Sequence, residues 1–504
     1  MMLKKIKIFL SNNPLLGITL IALIIRLVAV VFSKGYGMHD DQFIAVEFPQ
    51  EVVNNYLVWE KAGSPQQIIY PSVQYFTFYS LESVGIYDPQ TKMFFVRLFH
   101  ALYSLLIVYF GYKITLRFAG VQTANKVGII LALFWILPFL SVRNLVEIVC
   151  IPPLMAGFYL SIKENKKLLH YFFIGCLFAV SFSIRLQVAM FMAGFGISLI
   201  IEAIIKKDNK IVLNLFYLFF GFVITVFLLL GIPDWIKWGK PFAYFIDYVK
   251  YNASHGYDYV VGPWYNYILL IIGLLIPPIS FFLIFGFFRT WKKYYIIFLP
   301  TLLFFIFHSY FPNKQERFII PALPFIIILG VTGWKNYVEN SKFWSNKKRL
   351  LKGLRIWFWL INSVLLILFS TSYSKRTRVE TMTYLHNRNV NGLFVVCGRF
   401  GHILMPRYYM NYDSPIYTLL ENYNSDSLKT VINNAGTKYP NYAVFFDDYN
   451  FNARLTNFEK DFGVSLRYVQ QISPGLLDDL LFKLNPKGNK NQTAYIFNVI
   501  KKQL

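Results

Sequence analysis

Residues 14–33 read PLLGITLIALIIRLVAVVFS, an apolar run with a single charged residue, Arg26. A helix needs about 20 mostly apolar residues to cross the hydrocarbon core of a bilayer. The run is longer than the apolar part of a cleaved signal peptide, and no cleavage site of small residues follows it. It therefore predicts a membrane-spanning helix that is retained rather than cleaved.

Apolar runs of this kind recur along the 504-residue chain. The composition agrees, because 56% of the residues are hydrophobic and 15% are charged, whereas soluble domains average about 45–50% and about 25%. The pattern predicts an all-α polytopic membrane protein with about eleven transmembrane helices. The runs lie near 14–33, 97–117, 127–142, 145–162, 169–184, 186–205, 211–232, 264–288, 294–311, 318–334 and 354–373.

The net charge of +24 is distributed unevenly between the connections. If the N-terminus is cytoplasmic, the connections on the cytoplasmic side carry +18, while the loops and helix ends opposite them carry no net charge. An excess of Lys and Arg marks the cytoplasmic side of a membrane protein. We therefore predict a cytoplasmic N-terminus, a C-terminus on the outer side and no nucleic-acid partner.

The chain changes character after the last apolar run. GLFVVCGRFG (392–401) and YAVFFDD (442–448) have the pattern of buried strands that end in polar turns. Helical stretches lie between them, which is typical of a small α/β unit. We predict a transmembrane domain over 1–373 and a soluble extracytoplasmic α/β domain over 374–504.

The first outer loop, from about 34 to 96, is acidic and carries G-M-H-D-D-Q at 37–42. Adjacent carboxylates at a membrane surface are costly unless they are solvated, paired or used. Neighbouring carboxylates raise the pKa of one of them, which suits a general base near neutral pH. A metal site and an ordinary solvated loop are the alternatives for these residues.

Four basic residues lie in predicted outer turns between apolar runs: Arg143, Arg185, Lys314 and Arg317. Ionisable groups at this depth are candidates for a functional site, and arginine binds phosphate in bidentate geometry. We predict that they bind a phosphate. The alternatives are interfacial arginines that extend to the lipid headgroups, and a turn in which Glu316 neutralises Lys314 or Arg317.

The second outer loop reads KPFAYFIDYVKYNASHGYDYVVGPWYNY at 240–267. Aromatic rings stack on the C–H faces of sugars and amides bind their hydroxyls, so this mixture suits carbohydrate. We predict substrate contacts from Asn252, His255, Trp264 and Tyr265. The alternative for the aromatic residues is an interfacial belt.

Taken in order, these segments resemble the Alg9-like mannosyltransferases, glycosyltransferase family 22. Where that family has H-P-D-E, this chain has H-D-D-Q, so that His39 and Asp41 match while Asp40 and Gln42 differ. The resemblance covers about 10–335 and leaves the C-terminal segment uncovered. Further matching stretches are YLVWE (56–60), SVRNLVE (141–147), FSIRLQ (182–187), YNASHGYDYVVGPWYNY (251–267) and NKQERFIIPALP (313–324), in which Asn313 and Gln315 depart from the family pattern.

The resemblance implies a GT-C fold whose active site faces the lumen or periplasm. It implies transfer of a sugar, commonly mannose, from a polyprenyl phosphate by direct displacement with inversion. An acid of the first loop is then the base, and we predict Asp41, with Asp40 second. The four basic residues stabilise the leaving phosphate, and His39 and Glu47 contact the substrate.

The sequence lacks a P-loop, a Rossmann glycine fingerprint, HExxH and GxSxG. A lipid-phosphate donor accounts for the missing nucleotide motif, and no cofactor is predicted, with a divalent metal allowed but not required. The predicted partners are the polyprenyl-phosphate sugar, a glycan or lipid-linked acceptor and the bilayer. The predicted location is a bacterial inner membrane, with the active site facing the periplasm.

Two other functions are compatible with the sequence. One is a different GT-C transferase, which shares the first-loop acids and acts on protein or lipid A. The other is a polysaccharide flippase, polymerase or transporter, a class that places functional charges at mid-membrane on broken helices. The clustering of charges at the outer rim favours a transferase.

Overall fold

Two compact units make up the chain in the computed structural model. The first comprises 12–30, 68–73 and Arg97–Ser370, and the second comprises 31–54, Gln74–Val96 and the part that follows Ser370. The residues that the structure describes are 12–54, 68–164, 166–207, 210–398, 401–410, 414–421, 423, 425–434, 439–487, 489 and 492–502. The YLVWE stretch and the N-terminal lysines of the predicted topology lie outside these residues.

The division between the units differs from the predicted domains in one respect. The chain passes to the second unit after Ser370, close to the predicted boundary at 373. However, the second unit also includes 31–54 and Gln74–Val96, which belong to the predicted first outer loop. Most of the described part of the loop therefore belongs to the same compact unit as the C-terminal segment, which hydropathy alone does not reveal.

Apolar helices build the first unit and account for each predicted run. Six helical stretches are long and apolar enough to cross a membrane among the described residues, and Asn266–Leu274 with Ile279–Arg289 forms a further pair bent by 114°. Shorter apolar helices cover Val146–Ser161, Leu168–Ile184 and Tyr295–Tyr310. The six stretches are Pro14–Phe32, Pro89–Leu133, Leu186–Lys206, Ile211–Trp238, Glu316–Asn340 and Lys348–Ser370.

One of these helices covers the predicted run near 97–117 and the first part of the run near 127–142. Pro89–Leu133 has 45 residues and is interrupted at Gly120, whose φ of 73° lies outside the helical region. Glycine reaches positive φ without the steric cost that a Cβ imposes. The runs near 97–117 and 127–142 therefore meet at Gly120. The remaining helices that the unit contains are Ile136–Leu140, Ala243–Ser254 and Lys342–Asn346.

Glycines allow neighbouring helices of the first unit to approach closely. A Cβ on Gly175 would lie 2.0 Å from the carbonyl oxygen of Leu218, and one on Gly221 would lie 2.2 Å from that of Phe172. These contacts join the helices Leu168–Ile184 and Ile211–Val226. Small residues at helix interfaces are typical of membrane proteins, because lipid supplies no hydrophobic drive for helix association.

The second unit contains a five-stranded sheet. Its strands are β1 (Leu393–Val396), β2 (Ile416–Leu419), β3 (Tyr442–Phe446), β4 (Val464–Ile472) and β5 (Ala494–Lys501). Their order is β2-β1-β3-β5-β4, with β1 parallel to β2 and β3, and β5 antiparallel to β3 and β4. Both predicted strands, β1 and β3, are present and buried, so the predicted α/β character is confirmed. Helices Arg376–His386, Ser425–Asn434, Phe451–Phe462 and Leu476–Leu484 accompany the sheet.

The first outer loop contributes its own helices to the second unit. These are His39–Gln42, the π-helix Phe43–Glu47, Phe48–Val53 and Ile69–Ser83, which ends within this unit. Lys92 Nζ lies 2.8 Å from both Glu82 Oε1 and Gln50 Oε1, so a buried polar cluster joins two parts of the loop. Backbone hydrogen bonding from Ser374 N to Lys34 O, at 3.1 Å, joins the loop to the C-terminal segment.

Candidate active site

Two of the predicted phosphate-binding arginines converge on one buried carboxylate in the first unit. Glu147 lies in the first turn of the short helix Val146–Val149 and is fully buried. Its Oε1 is 3.0 Å from Nη1 of Arg185 and 3.5 Å from Nε of Arg317. A buried charge is stable only when it is paired. Two arginines with one carboxylate leave an excess positive charge at this point.

The backbone around each arginine directs its side chain to Glu147. Arg185 ends the helix Leu168–Ile184 in extended conformation, with φ −145° and ψ 106°. Arg317 lies in the first turn of the 3-10 helix Glu316–Ala322, and its Nε donates to Gln315 Oε1 at 2.9 Å. The guanidinium of Arg185 also lies 5.0 Å from the centre of the Phe318 ring.

Two nitrogen atoms of the Arg185 guanidinium are available to donate further hydrogen bonds. Its Nε and Nη2 are buried and have no hydrogen-bond partner among the described residues. An arginine presents five N–H donors in a planar fork, and only Nη1 is used by Glu147. Buried donors without partners are rare in native proteins and call for an explanation. An anion bound at this point would supply the missing acceptors.

The other two predicted phosphate ligands have different surroundings. Lys314 Nζ donates to the carbonyls of His308 and Ser309, each at 2.8 Å, and also to that of Phe311. These bonds occupy all three ammonium protons, and burial lowers the pKa of Lys314. Arg143 is buried, with its guanidinium 4.5 Å from the centre of the Phe139 ring. Lys314 thus stabilises its turn, and the role of Arg143 stays a prediction.

Sequence reasoning missed one residue of this cluster, Tyr248. The side-chain amide of Gln187 donates to its hydroxyl. Burial raises the pKa of Tyr248, and the charge of Arg185 opposes that shift, so the phenol is close to the arginine. One signal in the sequence could have identified Tyr248. It lies four residues, about one helical turn, before the predicted substrate contact Asn252, whose Nδ2 donates to the Tyr248 carbonyl at 2.8 Å.

The predicted substrate contacts of the second outer loop differ in how far they contact other residues of the protein. His255 stacks on Tyr251, with ring centres 4.3 Å apart, and Asn252 is half-buried. Trp264 and Tyr265 are 65% and 46% exposed. Such exposure is expected both for a surface that binds substrate and for an interfacial aromatic belt. The role of these residues in substrate binding stays a prediction.

The predicted base lies in the second unit. Asp41 is buried, and its Oδ2 accepts a hydrogen bond from the Met38 backbone at 3.1 Å. The backbone of His39 and Asp40 belongs to the same short helix, His39–Gln42, but their side chains lie outside the described part of the structure. Asp41 is electrostatically coupled to Lys375. This interaction makes Lys375 a cationic neighbour of the predicted base.

Lys375 belongs to the C-terminal segment and is another residue that sequence reasoning missed. Burial lowers its pKa to about 8, Arg378 adds to this shift, and Asp478 and Asp41 oppose it. Its Nζ lies 4.9 Å from the centre of the Tyr36 ring. More than 330 residues separate Asp41 from Lys375, so no local sequence signal could reveal this neighbour.

Glu47 is a buried acid rather than a solvated one. Burial raises its pKa to about 8, although a hydrogen bond with the Tyr408 backbone lowers it in part. The carboxyl is therefore largely protonated at neutral pH, and a protonated carboxyl is a poor base. No group of three metal-ligating side chains occurs among the described residues, and the prediction of a metal-independent reaction stays a prediction.

Comparison with known proteins gives these residues a family context. Residues 18–409 match the Alg9-like mannosyltransferase family. The chain belongs to this family. The matched region includes every predicted site residue and ends within the second unit, before β2. The expected family resemblance is therefore confirmed.

Individual relatives of the Alg9-like chain are distant. It is 30% identical over 213 residues to the Saccharomyces cerevisiae Dol-P-Man:Man(7)GlcNAc(2)-PP-Dol alpha-1,6-mannosyltransferase, covering 41% of this chain and 37% of the relative. It is 25% identical over 362 residues to the Bos taurus GPI alpha-1,2-mannosyltransferase 3, covering 70% and 63%. The chain thus spans less than two thirds of the length of either relative.

A solved structure supports the expected GT-C fold of the Alg9-like chain. ArnT from Cupriavidus metallidurans bound to undecaprenyl phosphate has a TM-score of 0.61 at 10% identity. The alignment covers 97% of this chain and 98% of ArnT. At this identity the likeness concerns the fold alone. It confirms a multi-pass membrane protein with a small C-terminal sheet region.

Proposed function

We propose that the chain is an inverting membrane mannosyltransferase that uses a polyprenyl-phosphate mannose. Membership of the mannosyltransferase family supports the reaction class, and one relative named for dolichyl-phosphate mannose supports the donor class. The proposed acceptor is a glycan or a lipid-linked glycan. The proposed site of action is the outer face of the membrane, as the charge distribution predicts.

The buried arginine pair on Glu147 carries this proposal. In the reaction, the bond from the anomeric carbon to the phosphate oxygen breaks, and its electron pair remains on the polyprenyl phosphate. The leaving group becomes a dianion, so it needs cationic donors already in place. Arg185 and Arg317 provide such donors, and Glu147 fixes their positions. Arg143 is a further proposed donor to the phosphate, whereas Lys314, whose protons are taken by backbone carbonyls, would contribute only its positive charge.

Asp41 is the proposed base. Its carboxylate accepts the proton of the acceptor hydroxyl as that oxygen attacks the anomeric carbon. Asp40 is the second candidate for this role. His39, Glu47, Asn252, His255, Trp264 and Tyr265 are the proposed substrate contacts.

Replacement of Arg317 by alanine tests the donor role. A hydrogen bond to a charged group contributes about 1.5–3 kcal/mol, so we expect the KM for polyprenyl-phosphate mannose to rise about 10- to 100-fold. The measurement is transfer of radiolabelled mannose in membranes that contain the variant. Arg349→Ala, at an exposed arginine in the first turn of the helix Lys348–Ser370, is the matched control and should leave KM unchanged.

The same assay discriminates between function classes. Unchanged donor dependence in Arg317→Ala would remove this residue from the phosphate site. Movement of an intact lipid-linked glycan across the membrane, without new glycosidic bonds, would instead identify a flippase.

A further inference from the structure

A cavity opens at the carboxyl ends of the parallel strands in the second unit. It has a volume of about 170 Å³ and is lined by residues that follow β1, β2 and β3 and by the helix Phe451–Phe462. Cys397 and Gly398 follow β1, while Tyr449 and Asn450 follow β3. None of the residues that line it belongs to the proposed transfer reaction.

The strand order places this cavity at a switch point of the sheet. β1 lies second from one edge of the sheet, between its parallel neighbours β2 and β3. In open α/β sheets, ligands bind outside the carboxyl ends of the strands where the order reverses in this way. The topology therefore marks this edge, rather than the antiparallel edge of β4 and β5, as a binding site.

One residue that lines the cavity, Arg454, belongs to an ion pair. Arg454 Nη2 lies 3.0 Å from Asp447 Oδ1, and Nη1 donates to the Phe446 carbonyl at 2.9 Å. Arg454 Nε is buried and has no hydrogen-bond partner in the described part of the chain. At Gly398 a Cβ would lie 1.7 Å from Asp447 Oδ2, so a larger residue would displace the carboxylate.

The charges around the cavity exclude one class of ligand. Among the described residues, three acids interact electrostatically with Arg454, namely Asp447, Glu421 and Asp448, and they outnumber its single positive charge. A phosphate or nucleotide, the usual ligand at this position of such sheets, would be repelled by this excess. The cavity therefore selects for a neutral ligand.

The side chains that line the cavity suit a sugar. Tyr449, which is 39% exposed, and Tyr423 offer aromatic faces, while Asn450 and Asn457 offer amides. Small-molecule sites combine apolar or aromatic walls with a few polar groups that fix orientation. The volume equals that of roughly five or six waters, so one sugar ring fits and a longer glycan extends into solvent.

We propose that this cavity binds one neutral sugar unit without transferring it. Tyr449 stacks on the ring, Asn450 and Asn457 bind its hydroxyls, and Arg454 Nε donates to a ring or hydroxyl oxygen. The second unit thereby holds a carbohydrate independently of the transfer reaction. This binding does not require the proposed donor, base or phosphate site.

Binding of simple glycosides to the full-length protein in detergent tests the proposal. The probes are the methyl glycosides of mannose, glucose, galactose and N-acetylglucosamine, detected by saturation-transfer NMR. Hydrogen exchange, measured in parallel, localises binding to peptides at 393–398 and 442–458. We expect at least one glycoside to bind wild type and Asp41→Asn equally, and to protect these peptides.

Three variants of residues that line the cavity, and one control variant outside it, test the binding site. Tyr449→Ala and Asn457→Ala should weaken glycoside binding at least about tenfold, and Ala453→Trp, which fills the cavity, should abolish it. Asn452→Ala, an exposed asparagine on the same helix outside the cavity, should have no effect. The proposal is overturned if no glycoside binds, if binding survives in both Tyr449→Ala and Ala453→Trp, or if Asp41→Asn abolishes it.

Discussion

Glu147 shows how a single buried acid organises a cationic site. It balances two arginines from different segments, Arg185 and Arg317, and is itself completely buried. Removing one partner from a buried ion pair leaves charge in a low-dielectric environment. The residue therefore affects both stability and the placement of the arginines, which an isolated sequence motif could not reveal.

Glu147→Gln should lower the free energy of unfolding by about 3–5 kcal/mol, since two guanidinium groups lose their counter-charge. Unfolding in detergent micelles measures this change. Glu202→Gln is the matched control, because Glu202 pairs with the largely exposed Lys206 one helical turn away, and such pairs contribute about 0.3–0.5 kcal/mol. Equal losses in the two variants would contradict the assigned role.

The raised pKa of Glu47 predicts that the stability of the folded protein depends on pH. Its pKa in the folded protein is about 8, against an ordinary value of 4.5. As the pH rises from 4.5 to 8, the unfolded chain ionises Glu47 while the folded protein keeps it protonated, so stability falls through this window. Above pH 8 the difference no longer grows.

Glu47→Gln removes this titration and should therefore be more stable than wild type by a margin that increases from pH 5 to pH 8. Melting temperatures across this range measure the margin. Glu164→Gln, at an exposed position, should follow the wild-type profile. A constant difference between Glu47→Gln and wild type would show that burial does not shift this carboxyl.

The candidate site was predictable where the chemistry is local. The acids of the first loop and the arginines of the outer turns were identified from residue type and position. Lys375 and Tyr248 were not, because their proximity to Asp41 and Arg185 depends on packing across long separations. Lys314 was predicted as a phosphate ligand, yet its protons are used by backbone carbonyls.

Among the elements, close helix pairing depends on glycine. A Cβ on Gly286 would lie 2.1 Å from the Gly330 carbonyl oxygen, and one on Gly333 would lie 2.0 Å from that of Gly286. The helices Ile279–Arg289 and Leu323–Asn340 therefore contact each other through their backbones. Hydropathy predicted both helices but not this contact, since the apolar runs show no preferred partner.

Gly286→Ala should force these helices apart and cost about 1–3 kcal/mol, as overpacking of a dense interface does. Gly273→Ala is the matched control in the same bent pair, because no atom lies within 4 Å of its added Cβ. Thermal unfolding in detergent compares the two. A Gly286→Ala variant as stable as Gly273→Ala would contradict the backbone contact.

For the whole molecule, hydropathy and charge predicted the fold class and each apolar segment. They did not predict that most of the first outer loop would belong to the same compact unit as the C-terminal sheet. Backbone hydrogen bonds such as Ser374 N to Lys34 O bring these distant segments together. Periodicity describes a segment in isolation, so it carries no information about such pairing.

The central claim is that the chain forms a glycosidic bond with Asp41 as base. The most direct test reconstitutes the purified protein with isotopically labelled polyprenyl-phosphate mannose and acceptor from membranes that lack the protein. NMR of the product then gives the amount and anomeric configuration of transferred mannose. We predict transfer with inversion by wild type and, since general base catalysis contributes about 10²- to 10⁴-fold, a loss of that size in Asp41→Asn at equal protein abundance. Full activity in both Asp41→Asn and Asp40→Asn, or a product of retained configuration, would contradict the account.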